Sequence, residues 1–307
     1  MGSHKLYFFA PLGNVDDSIL KLNLKHGFEF DSMSYDEGRN FIGMLEKIAP
    51  EDIYRWRHFQ TTFLQRKLFF IKNSFDYELP ESADEQQSYF MNFYKDIYHL
   101  VNENIVIPLR FLRLFKTGNI HMTGWYVYRL SNNIPNVSYA GGGSLFNQDE
   151  LFHLEDSEIE NVQKFFETTR IREDFKYLEL ALENFDLSYT VNNPSLAFLS
   201  LMIASEVLFN PGKGEVTQRI SRNFAVLLGN SVDDAKKIQK EIKELYGKRS
   251  SLIHSGEVIW NFVGEDDEVA KLRNYVRASI KKIIQMNLSK DALLDLLNSK
   301  GFGQLKE

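Results

Sequence analysis

Residues 194–209, with the sequence PSLAFLSLMIASEVLF, decide the fold of the second half of the chain. Asn193 and Pro194 start a helix, because asparagine can cap the free amide groups and proline fits the first turn. From Ser195 to Phe209 the residues are apolar on nearly every side of that helix, which is typical of a helix surrounded by others. This stretch therefore predicts the buried centre of a helical bundle.

Helical patterns continue on both sides of this central helix. Ser157 and Glu160 have the spacing of a capping box, which predicts a helix start before the apolar run through Phe166. With the stop signals that follow each apolar repeat, the patterns predict further helices at 157–166, 174–185, 215–228, 231–246, 267–288 and 291–298. We therefore predict an all-α domain over residues 156–307.

Residues 1–155 have a different character, because strand-like and helix-like patterns alternate along them. Extended segments are predicted at 5–12, 60–80 and 125–130, and helices at 34–49 and 83–103. Turn residues at Gly13-Asn14 predict a hairpin between the first strand and the alternating stretch 18–30. The expected fold class is α+β, with an amino-terminal α/β domain at 1–155 and the helical domain at 156–307.

The run Gly141-Gly-Gly143 has the composition of a phosphate-binding loop. A phosphate loop needs a helix that starts on the glycines and usually a Lys-Ser or Lys-Thr pair after them. Neither follows here, so we interpret the run as a flexible loop or turn.

Composition excludes several function classes. The 307 residues contain no cysteine, which excludes disulfides, thiolate zinc sites and cysteine nucleophiles. Five histidines lack metal-ligand spacing and are expected to be structural or on the surface: His26, His58, His99, His121 and His153. Gly-x-Ser-x-Gly is absent. We therefore expect no metal, no cofactor and no hydrolase of that type. The sequence shows no apolar run of membrane-spanning length. We expect a cytoplasmic protein with no membrane partner.

The charge distribution bears on nucleic-acid binding. The net charge of −6 argues against a protein that coats nucleic acid over its whole surface. Residues 205–282 carry 14 Lys or Arg against 11 Asp or Glu, a balance of +3, so the rest of the chain carries −9. If RNA binds, the second half is where we expect it.

The order of features in the second half resembles a known family. Ile203-Ala-Ser-Glu206-Val-Leu-Phe209 is followed by Glu215-Val-Thr-Gln-Arg219-Ile220, then by Tyr246-Gly-Lys-Arg249-Ser250 and by His254-Ser-Gly256. This order resembles the Apea-like branch of the HEPN superfamily over roughly residues 157–290. The segment 109–116 also resembles the region that precedes such domains in longer members.

The resemblance implies a chemistry and a partner. HEPN nucleases cleave single-stranded RNA without metal, by attack of the ribose 2′-hydroxyl on the adjacent phosphate. His254 matches the family histidine and would act as general acid or base, whereas Arg249 matches the arginine that holds the phosphate. The family is homodimeric and brings the pairs of two protomers into one cleft, so a homodimer is expected.

Further residues are candidates for supporting roles. Ser250 stands where many relatives have Asn, Asp or His, and its hydroxyl can still form hydrogen bonds. Glu206 could orient Arg249 or His254, and Tyr246 directly precedes the Arg249 segment. Arg219 and Arg222 could contact RNA phosphate.

Geometry sets a condition on the pair. Side chains five residues apart on a regular helix differ in direction by about 140°, so Arg249 and His254 converge within one chain only where the helix is irregular. Gly247 is the expected source of such an irregularity.

Three functions remain open on the sequence. The leading hypothesis is a dimeric ribonuclease in prokaryotic defence or a toxin-like response, with a possible antitoxin or other partner protein. The first alternative is a non-catalytic HEPN module that binds RNA or protein, in which Arg249 and His254 are structural and Glu206 pairs with a bundle arginine. Arg219 and Arg222 would then be solvated. The second alternative places the principal activity in residues 1–155, with the bundle as its regulator.

Overall fold

The structure is a computed structural model of the chain. It describes residues 3–47, 66–78, 95–142, 151–169, 171, 174–191, 193–210, 212, 215–255 and 267–305. The chain divides into two compact units, Met1–Glu167 and Thr168–Glu307. The division falls 12 residues after the expected one at 155 and 156, so residues 156–167 belong to the first unit. The fold is mixed α+β.

The first unit is built on an antiparallel sheet. Its described strands are β1 (Ser3–Gly13), β2 (Glu29–Ser34), β3 (Lys67–Glu78), β4 (His121–Met122), β5 (Gly124–Ser131) and β6 (Ile134–Gly142). They are arranged in the order β2-β3-β1-β5-β6, and β4 pairs with the end of β1. The extended segments predicted at 5–12 and 125–130 are confirmed, as is the described part of 60–80.

The predicted hairpin at Gly13-Asn14 is wrong. After β1 the chain forms a 3-10 turn over Asp17–Lys21, and Asp16 caps this turn by accepting a 2.9 Å hydrogen bond from the Ser18 amide. β1 pairs instead with β3 and β5, which are distant in the sequence. The reason is burial, because β1 is buried on both faces from Phe8 onward and therefore lies inside the sheet rather than at its edge.

One helix covers a face of this sheet. Helix α1 (Tyr35–Glu46) begins at Ser34, whose side chain forms a capping box with Glu37. Ile42 and Leu45 of α1 enter a buried cluster that includes Phe9 of β1. The helix predicted at 34–49 is confirmed for its described part, and residues 48–50 lie outside the described residues.

The remaining helices of the first unit lie after β3. Residues 95–101 are helical, Asn102–Val106 form a π-helical turn, and α2 (Ile107–Phe115) and α3 (Ile159–Thr168) follow. Of the helix predicted at 83–103, residues 83–94 lie outside the described residues. The capping box predicted at Ser157 is wrong by two residues, because Glu158 instead accepts a 2.9 Å hydrogen bond from the Glu155 amide.

The glycine run at 141–143 is not the predicted loop where it is described. Gly141 and Gly142 lie in β6, and Gly141 is opposite Trp125 of β5. A Cβ atom at position 141 would lie 2.0 Å from the indole nitrogen of Trp125. The Trp125 ring therefore requires glycine here, which gives the residue a packing role. Gly143 lies outside the described residues.

The second unit consists, in its described part, of helices and their connections. The helices are α4 (Lys176–Thr190), α5 (Pro194–Phe209), α6 (Val216–Leu228), α7 (Val232–Ser255), α8 (Glu268–Met286) and α9 (Lys290–Ser299). α5 begins as predicted, with Asn193 accepting a 3.2 Å hydrogen bond from the Leu196 amide. Its side chains Phe198, Leu201 and Met202 are fully or almost fully buried. The prediction that α5 is buried on nearly every side is wrong, because Leu196 and Ile203 are exposed.

Helix α7 is longer than predicted. Ser231 caps it as expected, by accepting a 3.1 Å hydrogen bond from the Asp234 amide. The helix continues nine residues past the predicted end at Tyr246 and reaches Ser255. Gly247 does not stop it, because the residue lies on the exposed side and a Cβ there would meet no atom within 4 Å. Arg249 and His254 therefore lie within this helix rather than after it.

Candidate functional site

The end of α7 holds the candidate arginine against α5. Nη2 of Arg249 lies 3.1 Å from Oε1 of Glu206, and the two side chains are 34% and 27% exposed. Of the two partners considered for Glu206, Arg249 is the one that it contacts. A carboxylate in this position fixes the guanidinium while leaving part of it open to a ligand.

Tyr246 lies near this ion pair, about one helical turn before Arg249. Its ring is buried, and its hydroxyl makes no hydrogen bond of standard geometry. Burial is the first cause that raises the pKa of this hydroxyl, the nearby Glu206 carboxylate raises it further, and Arg249 opposes the shift. Tyr246 thus remains a neutral support for the Glu206–Arg249 pair.

His254 lies in the last turn of α7 and is exposed. The helix is uninterrupted α-helix through Gly247, so the expected irregularity there is wrong. On a regular helix the His254 side chain points about 140° away from Arg249 and lies about 7.5 Å further along the axis. A single copy therefore does not direct both side chains at one phosphate.

The other candidate residues have different surroundings. Ser250 is exposed and precedes His254 by four residues, so it lies on the His254 side of α7. Arg219 is exposed in the first turn of α6. Arg222, in contrast, donates hydrogen bonds of 2.9 Å and 2.8 Å to the carbonyl oxygens of Leu297 and Lys300. These contacts give Arg222 a structural role at the end of α9.

A row of lysines on α7 was missed in the sequence. Lys236, Lys240 and Lys243 are exposed and lie on the same side of the helix as Ser250 and His254. The signal was the 18-residue spacing from Lys236 to His254, which equals about five helical turns. It was hidden because the helix was predicted to end at Tyr246.

The first unit contains a separate polar groove. It has a volume of about 450 Å³ and is lined by residues 16–18 and 153–156 together with Lys21. Nδ1 of His153 lies 2.6 Å from Asp16, which raises the pKa of this histidine through a hydrogen bond and then through charge. The contact ties the segment after β6 to the 3-10 turn, which gives His153 a structural role.

The described residues have two further properties. Among them, no group of three or more histidine, aspartate or glutamate side chains is arranged to hold a metal ion. None of the helices that the structure describes is both long enough and apolar enough to cross a bilayer.

Comparison of the chain with protein-family models, with curated proteins and with solved structures finds no match. The likeness to Apea-like HEPN domains thus rests on the order of sequence features.

Proposed function

We propose that this protein is a metal-independent endoribonuclease of the HEPN type that cleaves single-stranded RNA between two copies of its helical unit. Arg249 of one copy and His254 of the other form the site. The observation that supports this proposal best is that Arg249 is partly exposed and His254 is exposed, on different sides of one regular helix. A second copy brings its His254 to the Arg249 of the first copy, which a single regular helix cannot do.

The reaction follows from the chemistry of these two groups. The ribose 2′-hydroxyl attacks the adjacent phosphorus, the bond from O2′ to phosphorus forms, and the bond from phosphorus to O5′ breaks. His254 accepts the proton of the 2′-hydroxyl as general base, and water protonates the leaving O5′. Arg249 stabilises the negative charge that develops on the phosphoryl oxygens. The products carry a cyclic phosphate and a 5′-hydroxyl.

Glu206 and Tyr246 prepare the arginine for this role. The Glu206 carboxylate holds one edge of the Arg249 guanidinium, and the buried Tyr246 hydroxyl lies near both charged groups. A guanidinium has five N–H donors, so it can bind a phosphate while it keeps its carboxylate partner.

The outer face of α5 supports a second copy in this position. Leu196 and Ile203 are 53% and 47% exposed, although they belong to the most apolar helix of the unit. They lie about 20° apart around the helix, and Glu206 is about 60° from Ile203. Exposed apolar surfaces of this kind mark protein interfaces. A copy that covers this face would lie beside Arg249.

The resemblance suggests a role in prokaryotic defence or a toxin-like response, controlled by a partner protein or antitoxin. The alternative is a non-catalytic HEPN module for RNA or protein binding and dimerisation. The Glu206–Arg249 ion pair favours this alternative, because Arg249 already has a carboxylate partner within one copy.

A cleavage assay tests the proposal. Single-stranded RNA is incubated with the protein in excess chelator, and the ends of the products are identified. We expect cleavage that His254→Ala and Arg249→Ala each reduce at least about 100-fold, because each removes a group that acts in the transition state. The matched control is His99→Ala, which removes an exposed histidine of the first unit and should cleave normally.

Circular dichroism and size measurements establish that the variants are folded and assembled as the wild type. Cleavage that survives both substitutions would rule out this site. RNA binding without cleavage by the wild type would instead support the non-catalytic module.

A further inference from the structure

One side of α7 forms a basic track, defined here as Lys236, Lys240 and Lys243. All three side chains are exposed. At about 100° per residue they lie within about 40° of the direction of His254, and Lys236 is about 27 Å from His254 along the helix axis. Between Lys243 and His254 the same side carries Gly247 and Ser250, which are small and exposed. The track therefore leads to His254 over an open surface.

The carboxylates of α7 lie to one side of this track. The nearest are Asp233 and Glu244, about 60° and 80° from the direction of His254. Asp233 is exposed, and Oε1 of Glu244 lies 4.0 Å from the Lys240 ammonium group. Glu241 faces α8 instead, where it lies 3.2 Å from Lys271 and accepts a 2.6 Å hydrogen bond from Tyr275. An exposed pair at 4.0 Å is weak in water, so the positive charge of the track remains available to a ligand.

We propose that the basic track binds the sugar-phosphate backbone of single-stranded RNA and guides the strand to His254. This inference rests on the proposed function, which makes His254 the point to which the strand is guided. Charge complementarity identifies the ligand, since a row of exposed ammonium groups matches a row of phosphates and carries no base-specific donors and acceptors. The chain carries a net charge of −6, which disfavours RNA elsewhere and makes a local track effective.

The track also determines which RNA binds well. A strand that extends from the scissile phosphate along about 27 Å of helix contacts all three lysines, whereas a dinucleotide contacts none of them. Because lysine binds phosphate as a point charge, the track should increase affinity for long strands of any sequence and should leave the chemical step unchanged.

Binding of an RNA that cannot be cleaved tests this inference. The probe is a fluorescent 20-nucleotide strand with 2′-O-methyl groups, and its affinity is measured by anisotropy over a range of salt concentrations. The test variant is Lys236→Gln, Lys240→Gln and Lys243→Gln combined. The control combines Lys176→Gln, Lys237→Gln and Lys271→Gln, which removes three exposed lysines from other sides of the same unit.

We expect the test variant to bind at least tenfold more weakly at low salt, and the control to bind within about twofold of the wild type. The slope of log affinity against log salt should fall by about 2, since each contact to a single strand contributes about 0.7. In cleavage of unmodified RNA, the test variant should show a raised KM with an unchanged kcat.

The two proposals fail in distinguishable ways. If the wild type cleaves RNA but the test variant binds like the control, the track is overturned and the nuclease remains. If the track variant loses affinity as expected but the wild type cleaves no RNA, the track stands and the nuclease is overturned.

Discussion

Arg249 and Arg273 belong to the same helical unit but occupy opposite environments. Arg273 of α8 is 8% exposed, donates a 2.8 Å hydrogen bond to the Ser188 carbonyl, and lies 4.2 Å above the centre of the Tyr189 ring. Arg249 of α7 is 34% exposed and is held by Glu206 at 3.1 Å. The first guanidinium is enclosed by main chain and an aromatic ring, whereas the second keeps an open edge.

This difference shows how one side-chain type serves two purposes in a bundle. A buried guanidinium that contacts a helix end connects two helices and is expensive to remove. A partly exposed guanidinium contributes little to folding and remains available to an anion. The unfolding and activity of matched variants can therefore separate the two roles.

Replacement of the buried arginine should have the largest effect on stability. We expect Arg273→Ala to lower the free energy of unfolding by about 3 kcal/mol, because it removes charged hydrogen bonds and a cation–π contact from a buried site. Arg249→Ala should lower it by less than about 1 kcal/mol. Urea unfolding of both variants measures the difference, and equal losses would contradict the distinction between them.

The buried histidine of the first unit should make folding sensitive to acid. His121 is 1% exposed, and burial, with a smaller contribution from Arg113, lowers its pKa to about 4. The folded state therefore prefers neutral His121. The protein keeps its full stability above pH 6.5, and the free energy of unfolding decreases as the pH falls from 6.5 towards 4. We expect a loss of about 2.5 kcal/mol at pH 4.5.

Urea midpoints of the wild type at pH 7.5 and 4.5 give this loss. His121→Gln removes the titrating group, so its midpoint should change less between the two pH values. An unchanged acid sensitivity in His121→Gln would assign the effect to other groups.

Replacement of Gly247 should have the smallest effect on stability, and it tests directly whether α7 is a regular helix. Because a Cβ at this position meets no atom within 4 Å, Gly247→Ala should stabilise the protein by about 0.5–1 kcal/mol. RNA cleavage should continue, since a site shared between two copies needs no irregularity between Arg249 and His254. Destabilisation in thermal unfolding, or loss of cleavage in the stable variant, would show that the helix must bend there.

Local features of the fold were predictable, and distant pairings were not. The caps at Ser34, Asn193 and Ser231 follow from contacts within a few residues, so the sequence displays them directly. The partners of β1 lie more than 50 residues away in β3 and β5, and turn chemistry at Gly13-Asn14 favoured a nearer partner. Glycine was also misleading at 247, where an exposed helix position tolerates it.

The candidate site was predictable in its residue types but not in its geometry. Glu206 was expected to orient Arg249 or His254, and its carboxylate lies 3.1 Å from Arg249. Arg219 and Arg222 look equivalent in the sequence, yet only Arg222 contacts the carbonyls of residues 297 and 300. That contact depends on the packing of α9, which lies about 75 residues further along the chain.

Heterodimers of differently tagged copies test the shared site most directly. In the trans heterodimer one copy carries Arg249→Ala and the other His254→Ala, so one complete site remains and about half of wild-type cleavage is expected. In the cis heterodimer a wild-type copy is joined to one that carries both substitutions, so no complete site remains and cleavage should fall at least about 100-fold. An active cis heterodimer with an inactive trans heterodimer would contradict a site shared between two copies.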